Sequence, residues 1–268
     1  MHFYSQDSKG KVSPKHFVEN KSKGGLRPSR VTDAKKAAKE GETWFPSVTG
    51  ILNILDKPAL VNWKVDKHLE QVHSLINNNA ELRSDDFEGF KRMIKAKTQE
   101  AMDSAPKAGT AIHNVLEDYI GRGIEPTDEI ELLICHNVEE LLTEHCYPDF
   151  MNHAFIAEQY FVNNEHGYAG CADLYSDTWV IDYKSKQEAS KFKPGKMAYP
   201  EHYRQLASYG KSLCDEGFKA ANIFICLETG ECDFHPHPQE DLDKGWLDFL
   251  DCLSIYGRNT YKAIKGEA

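Results

Sequence analysis

Asp173, Asp182 and Lys184 are the residues of this chain whose types and spacing are best suited to chemistry. All three lie in Gly167–Lys184. Tyr168–Tyr175 and Trp179–Lys184, rich in aromatic and apolar residues, read as two short strands joined across Ser176-Asp177-Thr178. Side chains alternate along a strand, so Asp182 and Lys184 share one face and Tyr183 takes the other. A simple hairpin about Asp177 and Thr178 places Asp173 opposite Asp182, where like charges repel. Trp179, Val180 and Ile181 keep water scarce there, and an unpaired charge is costly. A divalent cation between the carboxylates, with a lysine one strand step along, satisfies the arrangement. Taken alone, the three residues also allow an ordinary Asp–Lys ion pair on a sheet rim.

The elements that must position these residues follow from caps and periodicity. Residues 1–43 are polar and Gly/Lys-rich and predict an extended basic arm with little core. Order is expected from Trp44. Ser47 can cap a short helix bearing Val48, Ile51, Leu52 and Leu55. Asp56, with Pro58 near the start, opens a second helix showing Leu60, Trp63, Leu69, Val72 and Ile76. Asp85 or Asp86 begins a third with Phe87, Phe90, Met93, Ile94 and Met102, which also carries Lys91, Arg92, Lys95 and Lys97. Residues 44–105 thus form a helical N-terminal extension. The segment Ala108-Gly109-Thr110 predicts a fresh helix start, and Thr127 can cap the helix after it.

The remainder, 106–268, holds strand-like runs at Phe155–Val162, Tyr168–Tyr175 and Trp179–Lys184. A basic connection leads on to a helix over Glu201–Leu213. Strands over Ala221–Glu228 and Cys232–His237 precede a closing helix. The core order is α-β-β-β-α-β, which predicts an α/β fold with a mixed central sheet flanked by helices.

Composition limits the function. With 268 residues, 40% hydrophobic and 28% charged, the chain suits one large globular domain or two small ones. Its longest apolar run, Ile223–Leu227, is far short of the roughly 20 residues that span a bilayer. No leader pattern opens the sequence, so a cytoplasmic protein with no membrane partner is expected. The seven cysteines are odd in number and scattered, which argues against a disulfide framework. Cys226, Cys232, His235 and His237 bracket a turn, but their spacing fits no standard zinc module. A net charge of −10 argues against polyanion binding by the whole surface. Residues 1–36 nonetheless carry nine Lys/Arg against three Asp/Glu.

The element order, with Asp182-Tyr183-Lys184, resembles the PD-(D/E)XK nuclease superfamily and its restriction-endonuclease-like core. Three further motifs are similar to those of RecB-like exonuclease domains, including phage and prophage exonucleases. They are Gly109-Thr110-Ala111-Ile112-His113, Gly170-Cys171-Ala172-Asp173, and Gln205 with Tyr209 in a Q-x-x-x-Y helix. Lys23–Arg30, Pro46–Thr49 and Trp63 add to the likeness with the phage proteins. The core resemblance covers roughly residues 105–230 through ordered short motifs. Ala172 stands where the superfamily's name has proline. No C-x-x-C pair follows the core, which disfavours the iron–sulfur subset.

The resemblance implies a DNA exonuclease with Mg²⁺ or Mn²⁺ held by Asp173, Asp182, the Tyr183 backbone carbonyl and His113. Lys184 is then implied to position the attacking water and offset transition-state charge. On the same basis Glu117 would orient His113, and Glu158 would bind a second metal or stabilise Lys184. Gln205 and Tyr209, sharing a helix face, would brace the catalytic strand or touch DNA. Lys186, Lys191, Lys193 and Lys196 suit phosphate contacts. The helical extension would roof the site, with Lys91, Arg92, Lys95 and Lys97 facing DNA. The resemblance implies DNA as partner in a bacterial host cell, with the basic arm folding either on DNA or on a partner such as a single-strand annealing or recombination protein. An endonuclease of the same fold, or a catalytically silent nucleic-acid-binding subunit, are the alternatives.

Overall fold

The computed structural model describes residues 2–20, 24–77, 87–148, 150–152 and 154–263. The chain divides into two compact units, Met1–Leu55 with Val115–Ala268, and Asp56–Asn114. The first is a mixed α/β structure. Asp85 and Asp86, expected to begin a helix, and Lys21 and Lys23 of the basic arm lie outside the described residues.

The described residues among the first 43, expected as an extended arm, are instead structured. They form strands β1 (Phe3–Gln6), β2 (Val12–Pro14), β3 (Phe17–Glu19) and β4 (Leu26–Pro28), then helix α1 (Val31–Lys39). β5 (Trp44–Pro46) and β2 flank β1 in an antiparallel three-stranded sheet, while β3 and β4 form a two-stranded ribbon. The reason is apolar burial that polar neighbours conceal. Phe3 is fully buried, with its ring 6.1 Å from Trp44 and 6.0 Å from Tyr261. Ser47 caps α2 (Val48–Leu52) as expected, its Oγ accepting from Gly50 N at 3.0 Å.

The second unit contains α3 (Pro58–Asn77) and most of α4 (Phe87–Leu116). The helix start expected at Ala108 is absent. α4 runs through Pro106 and the Gly109-Thr110 pair without a break. The Thr110 hydroxyl donates to the Pro106 carbonyl one turn back, at 3.0 Å, so it serves the helix interior rather than a cap. A π-helical turn, Glu117–Gly121, follows directly.

α5 (Glu129–His145) is capped one residue later than expected. Asp128 Oδ1 accepts from the backbone N–H groups of Ile130 and Glu131, both at 3.0 Å, which Thr127 would have to do with a single hydroxyl. Strands β6 (Ile156–Asn163), β7 (Tyr168–Tyr175) and β8 (Trp179–Lys186) follow, then α6 (Pro200–Leu213), β9 (Lys219–Cys226), β10 (Cys232–His237) and α7 (Gln239–Asn259). The five strands order as β10-β9-β8-β7-β6, with β8 and β9 parallel and every other pair antiparallel. A parallel pair needs a crossover, and α6 supplies it.

One apolar cluster joins the sheet to α2, α6 and α7 through Tyr168, Val180, Leu206 and Phe249. Two glycines permit close approach. A Cβ on Gly210 of α6 would lie 2.0 Å from the Phe218 ring, and one on Gly170 of β7 would lie 2.7 Å from the Phe161 ring. The seven cysteines are free thiols. No helix among the described residues is long and apolar enough to cross a membrane.

Candidate active site

The hairpin between β7 and β8 turns on Ser176, whose Oγ accepts from Trp179 N at 3.1 Å. Its register pairs Tyr175 with Val180 and Leu174 with Ile181. Asp173 and Asp182 come next in that register, but the ladder stops before them. The N–H of Tyr183 turns instead to Asp173 Oδ2, at 2.7 Å. A matching gap occurs on the other side of β7. The β6–β7 ladder pairs Ala157 with Leu174 and Gln159 with Ala172, passing over Glu158 and Asp173 between them.

Glu158 has φ of 49°, a left-handed conformation that no other described non-glycine residue adopts. Such backbone costs about 1–3 kcal/mol and concentrates at functional sites. The ladder keeps its register across this residue, and carboxylate oxygens of Glu158 and Asp173 lie within 4.8 Å of one another. Cys171, two residues before Asp173, donates its thiol to Glu158 Oε2 at 3.0 Å. Burial, and then the Glu158 carboxylate, push that thiol well above its ordinary range, so it stays protonated.

Asp182 is 3% exposed and its partners are different. Oδ1 accepts from Gln205 Nε2 at 2.7 Å, and Oδ2 accepts from Asn222 Nδ2 at 2.8 Å and ion-pairs with Lys184 Nζ. The same lysine donates to Gln205 Oε1 at 3.4 Å, and Gln205 Nε2 also donates to Tyr209 Oη at 3.0 Å. The Gln205–Tyr209 face of α6 therefore lies on the Asp182–Lys184 face of β8. Tyr183 points the other way and is buried near Cys135 of α5 and Cys146 just beyond it. Burial, then the charges of Asp182 and Asp173, raise the Tyr209 phenol far above its ordinary value. It acts here as a neutral hydrogen-bonding group.

The remaining expected residues have settings of their own. His113 belongs to the second unit, in the last turn of α4, two residues before the chain enters the first unit at Val115. Glu117 opens the π-helical turn and ion-pairs with Arg122, which also holds Asp118. That turn lines a cleft of about 750 Å³ together with Glu139, Phe155 and Ala157, and its carboxylates make it a poor path for phosphate. Lys186 stands two residues beyond Lys184, its pKa lowered by burial and then by Lys184, with Nζ 6.0 Å from the Tyr199 ring centroid. Lys193 and Lys196 are exposed on the connection after β8, while Lys191 pairs with Glu188 at 2.7 Å. Lys91, Arg92, Lys95 and Lys97 are exposed on α4.

Sequence reasoning missed Asn222. It is fully buried in β9, beside Asp182 in the parallel register, and its Oδ1 meets His237 Nε2 at 2.8 Å. The one available signal was an amide interrupting the apolar run Ala220–Cys226. His237, considered with Cys226, Cys232 and His235 for zinc, commits its ring to this contact.

No family model matches the chain, and no curated protein matches it. Among solved structures, a protein designated SSO0001 aligns at 14% identity over 48% of this chain and 67% of its own, with a TM-score of 0.24. A likeness that low carries no argument about fold or activity.

Proposed function

We propose that this chain is a Mg²⁺- or Mn²⁺-dependent deoxyribonuclease with a restriction-endonuclease-like core, hydrolysing phosphodiester bonds from DNA ends. The observation that carries this reading is the row Glu158, Asp173, Asp182 on three neighbouring strands, where the ladders open on both sides of Asp173. Lys184 shares the Asp182 face. Neighbouring carboxylates in a partly buried sheet favour a cation, and oxygen donors suit a hard one. Asp173, Asp182 and the Tyr183 carbonyl would hold the ion. His113 would add a nitrogen that Mn²⁺ accepts, and Glu158 would serve the same ion or a second one.

When bound, the ion supplies Lewis-acid polarisation of the scissile phosphate and a water of lowered pKa. The chain's own groups arrange the rest. Lys184 Nζ orients the attacking water and offsets negative charge building on the phosphoryl oxygens. Gln205 ties that ammonium to the Asp182 carboxylate through the two ends of one amide, so neither turns without the other. Lys193 and Lys196 offer phosphate contacts on the connection that follows.

The test is direct. Purified protein is incubated with Mg²⁺, Mn²⁺ or a chelator and with linear or covalently closed DNA, single- and double-stranded. Metal-dependent shortening of linear DNA with circles spared is the expected result. Cutting of circles would transfer the argument to an endonuclease, and no cleavage of any substrate would overturn the nuclease reading.

A further inference from the structure

We infer that Asn222 and His237 are positioning residues that fix the carboxylate of Asp182, an inference that rests on the proposed role of Asp182 in holding the metal. The carboxylate torsion of an aspartate is broad, so a ligand oxygen stays aimed only if neighbouring donors pin it. Asp182 is gripped from two sides, by Gln205 of α6 on Oδ1 and by Asn222 of β9 on Oδ2. Each of those amides is itself held. Gln205 is fixed by Tyr209 and Lys184. Asn222 is fixed by His237 from the neighbouring strand β10.

The donor directions follow from chemistry. Asn222 Nδ2 faces two acceptors, Asp182 Oδ2 at 2.8 Å and the Asp182 backbone carbonyl at 3.1 Å. Its Oδ1 must therefore face His237 and can only accept, which places the imidazole hydrogen on Nε2. Burial, reinforced by His235, keeps His237 neutral by lowering its pKa to about 4. Without that ring, the Asn222 amide could turn its oxygen toward the carboxylate and replace an attraction by a repulsion. A buried amide on an otherwise apolar strand would be costly unless so engaged. Outer groups that orient metal ligands characteristically change metal affinity or turnover by about 10- to 100-fold when removed.

His237→Phe keeps an aromatic ring and removes the donor, Asn222→Ser removes the amide without added bulk, and His237→Gln restores a donor. Turnover of end-labelled linear DNA and Mn²⁺ affinity by calorimetry are measured on each variant. Protection of the Asn222 side-chain amide protons from exchange is followed in metal-free protein. We expect His237→Phe and Asn222→Ser to lose about 10- to 100-fold in both turnover and Mn²⁺ affinity. In His237→Phe the Asn222 amide protons should exchange faster, and His237→Gln should recover most of the loss.

A purely structural role would lower the melting temperature and leave Mn²⁺ affinity and turnover of the folded protein at wild-type values, which overturns the inference. If His237→Phe does not fold, Asn222→Ser and His237→Gln decide on the same readouts. Asp182→Asn separates the two levels of argument. An inactive Asp182→Asn beside wild-type-like His237→Phe and Asn222→Ser sinks the positioning role alone. A wild-type protein that neither binds Mn²⁺ nor cleaves DNA removes the nuclease reading and this inference with it.

Discussion

Asp173 and Asp182 sit on adjacent strands but lean on different partners, and that difference predicts different responses to the same substitution. Asp173 faces Glu158 and accepts from a backbone N–H, whereas Asp182 is ringed by donors from Gln205, Asn222 and Lys184. Both Asp173→Asn and Asp182→Asn should abolish cleavage, because each removes a ligand charge without changing volume. Their effects on stability should diverge. Asp173→Asn relieves repulsion with Glu158 and should leave the metal-free melting temperature equal or higher. Asp182→Asn turns an amide N–H₂ toward existing donors and should cost about 1–3 kcal/mol in denaturant unfolding. Equal melting temperatures for the two variants would contradict this account of the charges. Lys184→Ala should lower turnover by about 100- to 1,000-fold while Mn²⁺ binding by calorimetry persists. Loss of Mn²⁺ binding from a folded Lys184→Ala protein would show the lysine's role to be misassigned.

At the scale of elements, α6 both crosses between β8 and β9 and supplies the groups that grip Asp182. Its seating depends on bare backbone. A Cβ on Gly170 would lie 2.7 Å and 2.8 Å from two Phe161 ring atoms and 3.0 Å from Tyr209 Cε1. Gly170→Ala should destabilise by about 1–3 kcal/mol through overpacking. Turnover should fall with it, because a displaced Tyr209 releases Gln205; a change in stability with turnover intact would separate packing from positioning. The limits of β7 and β10 were legible in the sequence, since aromatic and apolar residues alternate between turn-forming ones. The hairpin register, with Tyr175 on Val180 and Leu174 on Ile181, was legible for the same reason. The N-terminal strands were not, because Phe3 packs against Tyr261 at the far end of the chain and three- or four-residue strands show no periodicity of their own. The strain at Glu158 and the Asn222–His237 contact were hidden too. Both arise from pairing between strands that neighbouring residues do not encode.

The whole molecule adds a pH dependence. Burial, then the charge of Lys184, depresses His202 to about 3, and burial depresses His237 to about 4, against about 6.5 for either in an unfolded chain. Between roughly pH 6.5 and 4 the unfolded state binds protons that the folded state refuses, so stability falls as pH falls. Unfolding midpoints should therefore drop from pH 7.5 to pH 5, and the drop should be smaller in His237→Gln; a flat profile would refute the assignment. DNA binding should weaken with salt, and neutralising Lys91, Arg92, Lys95 and Lys97 should make that salt dependence shallower by about one ion per lost phosphate contact. An unchanged slope would place DNA elsewhere on the protein. The parallel pairing of β8 with β9 also has a consequence for biogenesis. Asp182 and Asn222 are 40 residues apart in sequence, and α6 must form and fold back before they meet. During synthesis, β8 is made while its neighbour β9 is still missing, and a ribosome-bound chain shorter than Cys226 exposes a charged strand edge with no partner. A chain truncated just after α6 should therefore be degraded or held by chaperones, and one extended through β9 should escape that fate.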